Sequence, residues 1–371
     1  MMKYFLIAGE KSGDLHASKL MNAIKKIDSK AQFEFFGGDL MIKESNVCHL
    51  HIRAMAFMGF WDVIKNFNKI FRFLYLCKVK IKIFKPDVVI GVDYTYFNLK
   101  IAKWCFRKGF KYQHYLAPKT WAFNERRIKR IKKYVKQLYC IFPFEKAYFQ
   151  SKKINATYVG NPVLESVIDF KKNVNFRSQN QLSEDPIIAL FPGSRTQEIK
   201  EMLSYMILLA LNNRKFQFVI GAVSSVPKEL YKEVENQSLV KIVYDQSYDL
   251  MSNARYAITK SGTITLEAAM FDLPQLSMYL TNGINRFVLK KIILKRIKFI
   301  TPVNLIANRK VIDELILSTK EVNKELLQKS FDSLILNGDI LKKEYKKLKE
   351  KISGIKTSEF LAREIFDDSN F

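Results

Sequence analysis

The sequence is short of several things, and each shortage removes a class of protein. Its four cysteines, Cys48, Cys77, Cys105 and Cys140, are far apart and form no CxxC pair. That spacing argues against a disulfide frame or a zinc site and fits a reduced cytosolic setting. No run of eighteen uncharged apolar residues occurs, so no transmembrane helix is expected. The opening run Met1-Met2-Lys3-Tyr4-Phe5-Leu6-Ile7-Ala8 is too brief for the apolar core of an export signal and reads instead as a first strand. The glycines of the first turn fall four apart, at Gly9 and Gly13, so the G-x-G-x-x-G dinucleotide fingerprint is missing. Acids are scarce as well: 62 Lys and Arg face 36 Asp and Glu, a formal charge of +26. Such a charge is silent about fold but predicts attraction to polyanions, whether nucleic acid, anionic lipid or phosphorylated substrates. Zinc motifs, RNP-type segments and basic–aromatic β arrays are absent, so nucleic acid is not expected as a partner. No internal repeat or low-complexity segment appears.

What is present is a globular composition, 48% hydrophobic over 371 residues, a length that suits two domains. Apolar runs of strand length alternate with helical periods, which predicts a doubly wound, mostly parallel α/β sheet in the first half and a second α/β set beginning at Ile187. The polar stretch 171–186 reads as the linker, and 342–356 as a charged helix followed by an amphipathic turn at 360–366. His49 and His51 alternate with apolar residues with nothing nearby to complete a metal set, so both are expected to be structural.

Several places invite a functional reading. Ile187 to Phe191 is a strand that stops at Pro192-Gly193 and is followed by Ser194, Arg195 and a helix-forming run. Strand, tight turn and helix N-terminus favour an anion, and an Arg adds a fork matched to phosphate oxygens; an ordinary βα loop is the alternative. Ser261-Gly262-Thr263 with Glu267 repeats that element; the pair of turns suits a nucleotide, with Glu267 able to accept from ribose hydroxyls, and two ordinary βα loops are the alternative. Asp93 closes the strand 88–92, either as a general base in a crevice or as a helix cap. The stretch 57–84 has a helical apolar period and, from 63 to 85, seven Lys or Arg and no acid. It suits a core-packed helix or one lying on an anionic membrane. The segment 100–153 carries sixteen Lys or Arg against two acids, Glu125 and Glu145.

Taken in order, these motifs resemble those of the lipid-A-disaccharide synthase family of glycosyltransferases. The matching pieces are Gly9-Glu10-Lys11-Ser12-Gly13-Asp14, Met58-Gly59-Phe60-Trp61-Asp62-Val63, Pro86-Asp87 to Asp93 with Phe97-Asn98, and His114-Tyr115 with Pro118 and Trp121-Ala122. Pro143-Phe144-Glu145, Val159-Gly160-Asn161, Pro192-Gly193-Ser194-Arg195 with Glu198, Ser261-Gly262-Thr263 with Glu267, and Asn304-Leu305 follow. The chain departs from the family's usual pattern at Tyr96, where an acid is common, at Phe123 for a second Trp, and at Asp62 for Glu.

The resemblance implies a GT-B fold, two Rossmann-like doubly wound domains facing a central cleft. The expected boundaries are 1–170 for an acceptor- and membrane-facing domain, 171–186 for the linker, 187–340 for the UDP-sugar domain, and 341–371 for a helical tail returning to the first domain. It implies an inverting transfer from UDP-2,3-diacylglucosamine to 2,3-diacylglucosamine 1-phosphate (lipid X), with no cofactor and no metal. Asp93 then matches the base and Arg195 the diphosphate-binding residue. Gly193, Ser194, Ser261, Gly262, Thr263, Glu267 and Asn304 match the donor side, and Glu10, Ser12 and Gly13 the first glycine turn. Met58, Phe67, Phe71 and Leu74 are the expected membrane or acyl-chain contacts. The implied place of work is the cytoplasmic face of the inner membrane, held peripherally, with room for a homodimer.

Overall fold

The computed structural model describes residues 1–55, 67–235 and 240–370. The chain divides into two α/β units, one made of Met1–Pro162 with Gly354–Phe371 and the other of Val163–Ser353. The first unit is built on seven parallel strands, β1 (Lys3–Ala8), β2 (Gln32–Gly37), β3 (Cys48–His51), β4 (Val88–Val92), β5 (Tyr112–Tyr115), β6 (Gln137–Cys140) and β7 (Ala156–Tyr158). They lie in the order β3-β2-β1-β4-β5-β6-β7. Helices α1 (Lys11–Ile27), α2 (Phe67–Phe84), α3 (Thr95–Lys108) and α4 (Pro143–Ser151) connect them. Every residue of β4, and all but the first of β1, is buried. That is why both read as continuous apolar runs: a parallel sheet is covered on both faces.

The second unit repeats the plan with six strands, β8 (Ile187–Phe191), β9 (Gln217–Ala222), β10 (Val240–Tyr244), β11 (Ala254–Lys260), β12 (Gln275–Leu280) and β13 (Asp313–Leu317). Their order is β10-β9-β8-β11-β12-β13. Its principal helices are α5 (Thr196–Asn212), α6 (Thr263–Met270), α7 (Pro302–Ala307) and α8 (Lys324–Ile352). In each sheet the strand order reverses once, between β1 and β4 and between β8 and β11. Beyond the carboxyl ends of the strands at such a reversal is where open α/β sheets bind ligands.

The unit boundaries differ from the sequence expectation. Residues 171–186 are no linker: Phe176 is fully buried, and with Leu182 it enters the core formed by Ile187, Val219 and Leu250. The polar residues around them stay at the surface, which is what the composition registers. At the other end α8 stays with the second unit, burying Phe331 and Tyr345. Only the last helix, α9 (Thr357–Asn370), joins the first unit, where Leu361, Ala362 and Ile365 pack with Leu20 and Ile24 of α1. Gly160 makes room for this return. Its φ is +88°, and a Cβ there would stand 2.8 Å from Thr357 Oγ1 and 3.0 Å from the Ile355 carbonyl oxygen, so only glycine fits.

Helix α2 corrects one expected surface residue. Ile70, Leu74, Cys77 and Ile81 form its buried stripe, and Leu74 is only 4% exposed. Leu74 therefore belongs to the core and not to a membrane face. Phe71, Tyr75 and Ile83 do face outward. Lys100 of α3 places its ammonium 5.0 Å from the Phe71 ring centroid and 4.6 Å from that of Tyr96, a cation–π bridge between the two helices. Met58 and the Phe67 side chain lie outside the described residues. His49 and His51 sit on β3, with Nε2 of His49 2.6 Å from Glu34 and Nε2 of His51 3.3 Å from Asp39.

Candidate active site

In the first unit, β1 and β4 end side by side. After β1 come Glu10 and Ser12, both exposed, and Gly13, buried in the first turn of α1. Asp14, next along, does not face this opening. Its carboxylate accepts from the backbone N–H groups of Gly38, Leu40 and Met41 at 2.7, 3.0 and 3.1 Å, and so clamps the loop after β2.

Asp93 follows β4 in a left-handed conformation, φ +48°, as does Tyr94 at +40°. Two such non-glycine residues in succession carry backbone strain that the surroundings must hold. Asn98 does the holding. From inside the fold its Nδ2 donates to the carbonyls of Asp93, Ile7 and Val92 at 2.8, 3.3 and 3.5 Å, while the Asp93 N–H donates to Tyr115 at 2.9 Å. Asp93 is partly buried, and burial raises its carboxyl above the ordinary carboxylate value, opposed by the charge of Lys119 and a hydrogen bond from the Tyr94 N–H. The cap alternative does not hold. The residue preceding α3 is Tyr94, and that helix begins without a side-chain cap.

Lys119 belongs to the loop after β5. That loop is pinned by Trp121, whose Nε1 donates to Glu145 at 3.0 Å. Glu145 also accepts from the N–H groups of Ile141 and Phe142, both at 3.2 Å. Burial raises its carboxyl to about 7 despite these donors. The loop carrying Lys119 is thus fixed by a buried side chain near the start of α4.

In the second unit, β8 ends at Pro192-Gly193-Ser194-Arg195, and α5 begins at Thr196. Gly193 has φ +119°, and a Cβ there would lie 2.6 Å from Glu198 Oε2; its freedom lets Glu198 fold back over the turn. Glu198 accepts from the Ser194 N–H at 3.2 Å, Arg195 Nη1 at 3.2 Å and Lys260 Nζ at 2.7 Å. A carboxylate therefore already sits in the anion seat at this helix N-terminus. Arg195 remains 58% exposed, so its fork is available to a ligand.

The neighbouring strand β11 leads into Ser261, buried, then Gly262 and Thr263 at the start of α6. Glu267 lies one turn further on and accepts from Tyr248 Oη at 3.1 Å; burial raises its carboxyl, opposed by that bond. The turns after β8 and β11 thus meet at the switch point of their sheet, and Lys260 ties them together through Glu198. Lys260 escaped sequence reasoning. The signal was there, a lone cation closing a strand just before Ser261-Gly262.

Asn304 is a correction. It is fully buried, its Nδ2 donates to Ile312 O and Glu314 Oε1 at 3.0 and 2.9 Å, and its Oδ1 accepts from Val311 and Ile312 N–H at 2.7 and 3.0 Å. With every polar valence used internally, it clamps the loop after α7 and has nothing left for a donor substrate.

Comparison with known proteins places this geometry. A family model described as lipid-A-disaccharide synthetase matches residues 4–368. The lipid-A-disaccharide synthase of Wigglesworthia glossinidia brevipalpis is 32% identical over 355 residues, covering 93% of this chain and 90% of the relative. That of Coxiella burnetii (strain RSA 331 / Henzerling II) is 31% identical over 316 residues, 84% of this chain and 83% of the relative. Among solved structures, UDP-GlcNAc 2-epimerase from Methanocaldococcus jannaschii, in complex with UDP-GlcNAc and UDP, aligns with a TM-score of 0.66 at 16% identity, over 99% of this chain and 100% of that one. The UDP-GlcNAc 2-epimerase of Neisseria meningitidis, bound to UDP-GlcNAc, aligns at 0.62 and 17%, over 100% and 99%. These likenesses place the fold in the GT-B class; the function follows from the sequence relatives, and the chain belongs to the lipid-A-disaccharide synthase family, glycosyltransferases of lipid A biosynthesis.

Proposed function

We propose that the protein transfers the diacylglucosamine of UDP-2,3-diacylglucosamine to the 6-hydroxyl of 2,3-diacylglucosamine 1-phosphate. The products are the β(1→6)-linked disaccharide 1-phosphate and UDP. The observation that carries this reading is Asp93, a partly buried carboxylate with a raised pKa, held by Asn98 at the switch point of the first sheet. In one in-line displacement Asp93 takes the proton of the acceptor hydroxyl, the oxygen attacks the anomeric carbon, and the bond from that carbon to the UDP oxygen breaks with inversion. The electron pair leaves on the diphosphate. Arg195 takes up that charge, and Glu267 accepts from the ribose hydroxyls. Purified protein incubated with both lipid substrates should yield the disaccharide by mass spectrometry. Consumption of the UDP-sugar without disaccharide overturns the reading.

Both substrates carry acyl chains, so the reaction belongs at a lipid surface. The outward faces of α2 and α3 suit one, with Phe71, Tyr75 and Tyr96 set among lysines and the whole chain strongly basic. Phe71→Ser should cut sedimentation with anionic liposomes several-fold while lowering stability by only about 1 kcal/mol, the worth of its contact with Lys100. Leu74→Ser should instead lower unfolding free energy by about 2–5 kcal/mol in urea titration, because it opens the core. Unchanged liposome binding by Phe71→Ser removes this face from the docking surface.

A further inference from the structure

Lys260 closes β11 with its side chain 19% exposed, and its ammonium lies 2.7 Å from Glu198 Oε1 and 5.3 Å from the Tyr279 ring centroid. It borders a cavity of about 190 Å³ that Gln197, Glu198, Glu201, Thr281 and Asn282 also line. The charge at this turn is unusual for a seat that must take a diphosphate. Glu198 occupies it and cancels Arg195, so these two side chains alone would offer a phosphate no net attraction. Burial pushes the Glu198 carboxyl up, but the hydrogen bond and charge of Lys260, the charge of Arg195 and the Ser194 N–H outweigh it and hold the group below its ordinary value. Glu198 is therefore ionised at neutral pH, and within the turn Lys260 is the cation that Arg195 and Glu198 leave over; Glu201, one turn further along α5, lines the same cavity. An ammonium has three donors. One is spent on Glu198, which leaves two for a phosphate oxygen.

We propose that Lys260 is a second diphosphate-positioning residue, bridging the Glu198 carboxylate and a phosphate oxygen of the UDP donor. This rests on the reading that the Gly193-Ser194-Arg195 turn receives that diphosphate. Lys260 then fixes the leaving group from the β11 side while Arg195 fixes it from the β8 side, and Glu198 orients both cations.

Equilibrium binding of UDP, UMP and uridine to the full-length protein tests this. Lys260→Met keeps the aliphatic stem and should weaken UDP about 10- to 100-fold, the worth of one charge-assisted hydrogen bond, UMP less, and uridine not at all. Lys260→Arg should stay within a few-fold of the unaltered protein. Adding Glu198→Gln to Lys260→Met removes the carboxylate that Lys260 offsets, yet should not restore full UDP affinity, because the phosphate contact is still missing. Full restoration would show that Lys260 only neutralises Glu198 and would overturn the proposal. So would unchanged UDP affinity in Lys260→Met, or equal weakening of UDP and uridine, which marks a disturbed fold. Arg195→Ala separates the two levels of the argument. If it weakens UDP while Lys260→Met does not, the Lys260 assignment alone fails; if the unaltered protein binds no UDP, the diphosphate reading falls and takes Lys260 with it.

Discussion

Asp93→Asn should lower kcat about 10²- to 10⁴-fold, the usual contribution of a positioned base, and leave the Kd for UDP unchanged. The substitution keeps size and shape and removes only the ability to take a proton. It should also fold normally. The left-handed φ of +48° at this position is one that Asn tolerates well, and the bonds that hold the site, Asn98 Nδ2 to the Asp93 carbonyl and the Asp93 N–H to Tyr115, are made by backbone atoms that the variant keeps. The pH profile gives an independent check. A base works only when ionised, and burial raises the Asp93 carboxyl above the ordinary carboxylate value while Lys119 opposes the rise. Activity should therefore fall as pH drops through a pKa higher than that of a free aspartate. Lys119→Met removes the opposing charge, so the acid limb of kcat/KM should move to still higher pH. A folded Asp93→Asn variant with near-normal kcat/KM would end the assignment of Asp93 as base.

How much of this was readable in the residues depended on burial. The strands β1, β4 and β8 are covered on both faces, so their apolar runs stand out and the turns that end them could be located. β13 does not stand out in the same way. β13 is partly exposed throughout and reads Asp313-Glu314-Leu315-Ile316-Leu317, an edge strand without an unbroken apolar run. The stretch 171–186 misled for the converse reason, since Phe176 and Leu182 are too few to outweigh the polar residues around them, yet both reach the core. On α2 the apolar arc was visible, but which residues face inward was not. Phe71 and Leu74 are three apart and look alike in a helical period, and only packing separates 48% exposure from 4%. Asn304 and Lys260 show the same limit for polar groups. The one loses any substrate role to four internal hydrogen bonds, and the other gains its interest from a carboxylate 62 residues away.

Arg195→Ala should reduce kcat/KM about 10²- to 10³-fold, comparable to removing one preorganised donor from a developing oxyanion. The loss should fall more on kcat than on UDP affinity. Negative charge on the diphosphate grows as the glycosidic bond breaks, so a guanidinium beside it stabilises the transition state more than the bound donor. Stability should hardly change. Arg195 precedes α5 with extended backbone, φ −119° and ψ 144°, and caps nothing with its side chain, while among the described residues its guanidinium bonds to Glu198. Glu198 keeps Lys260 and the Ser194 N–H after the substitution, so no buried charge is left alone. Arg195→Lys should recover only part of the activity, since an ammonium offers the charge without the planar fork that meets two phosphate oxygens at once. Steady-state kinetics with both lipid substrates, set beside UDP binding and thermal unfolding of the same variants, gives each quantity separately. If Arg195→Ala binds UDP and turns over as the unaltered protein does, the turn after β8 is an ordinary βα loop and the diphosphate must be held elsewhere.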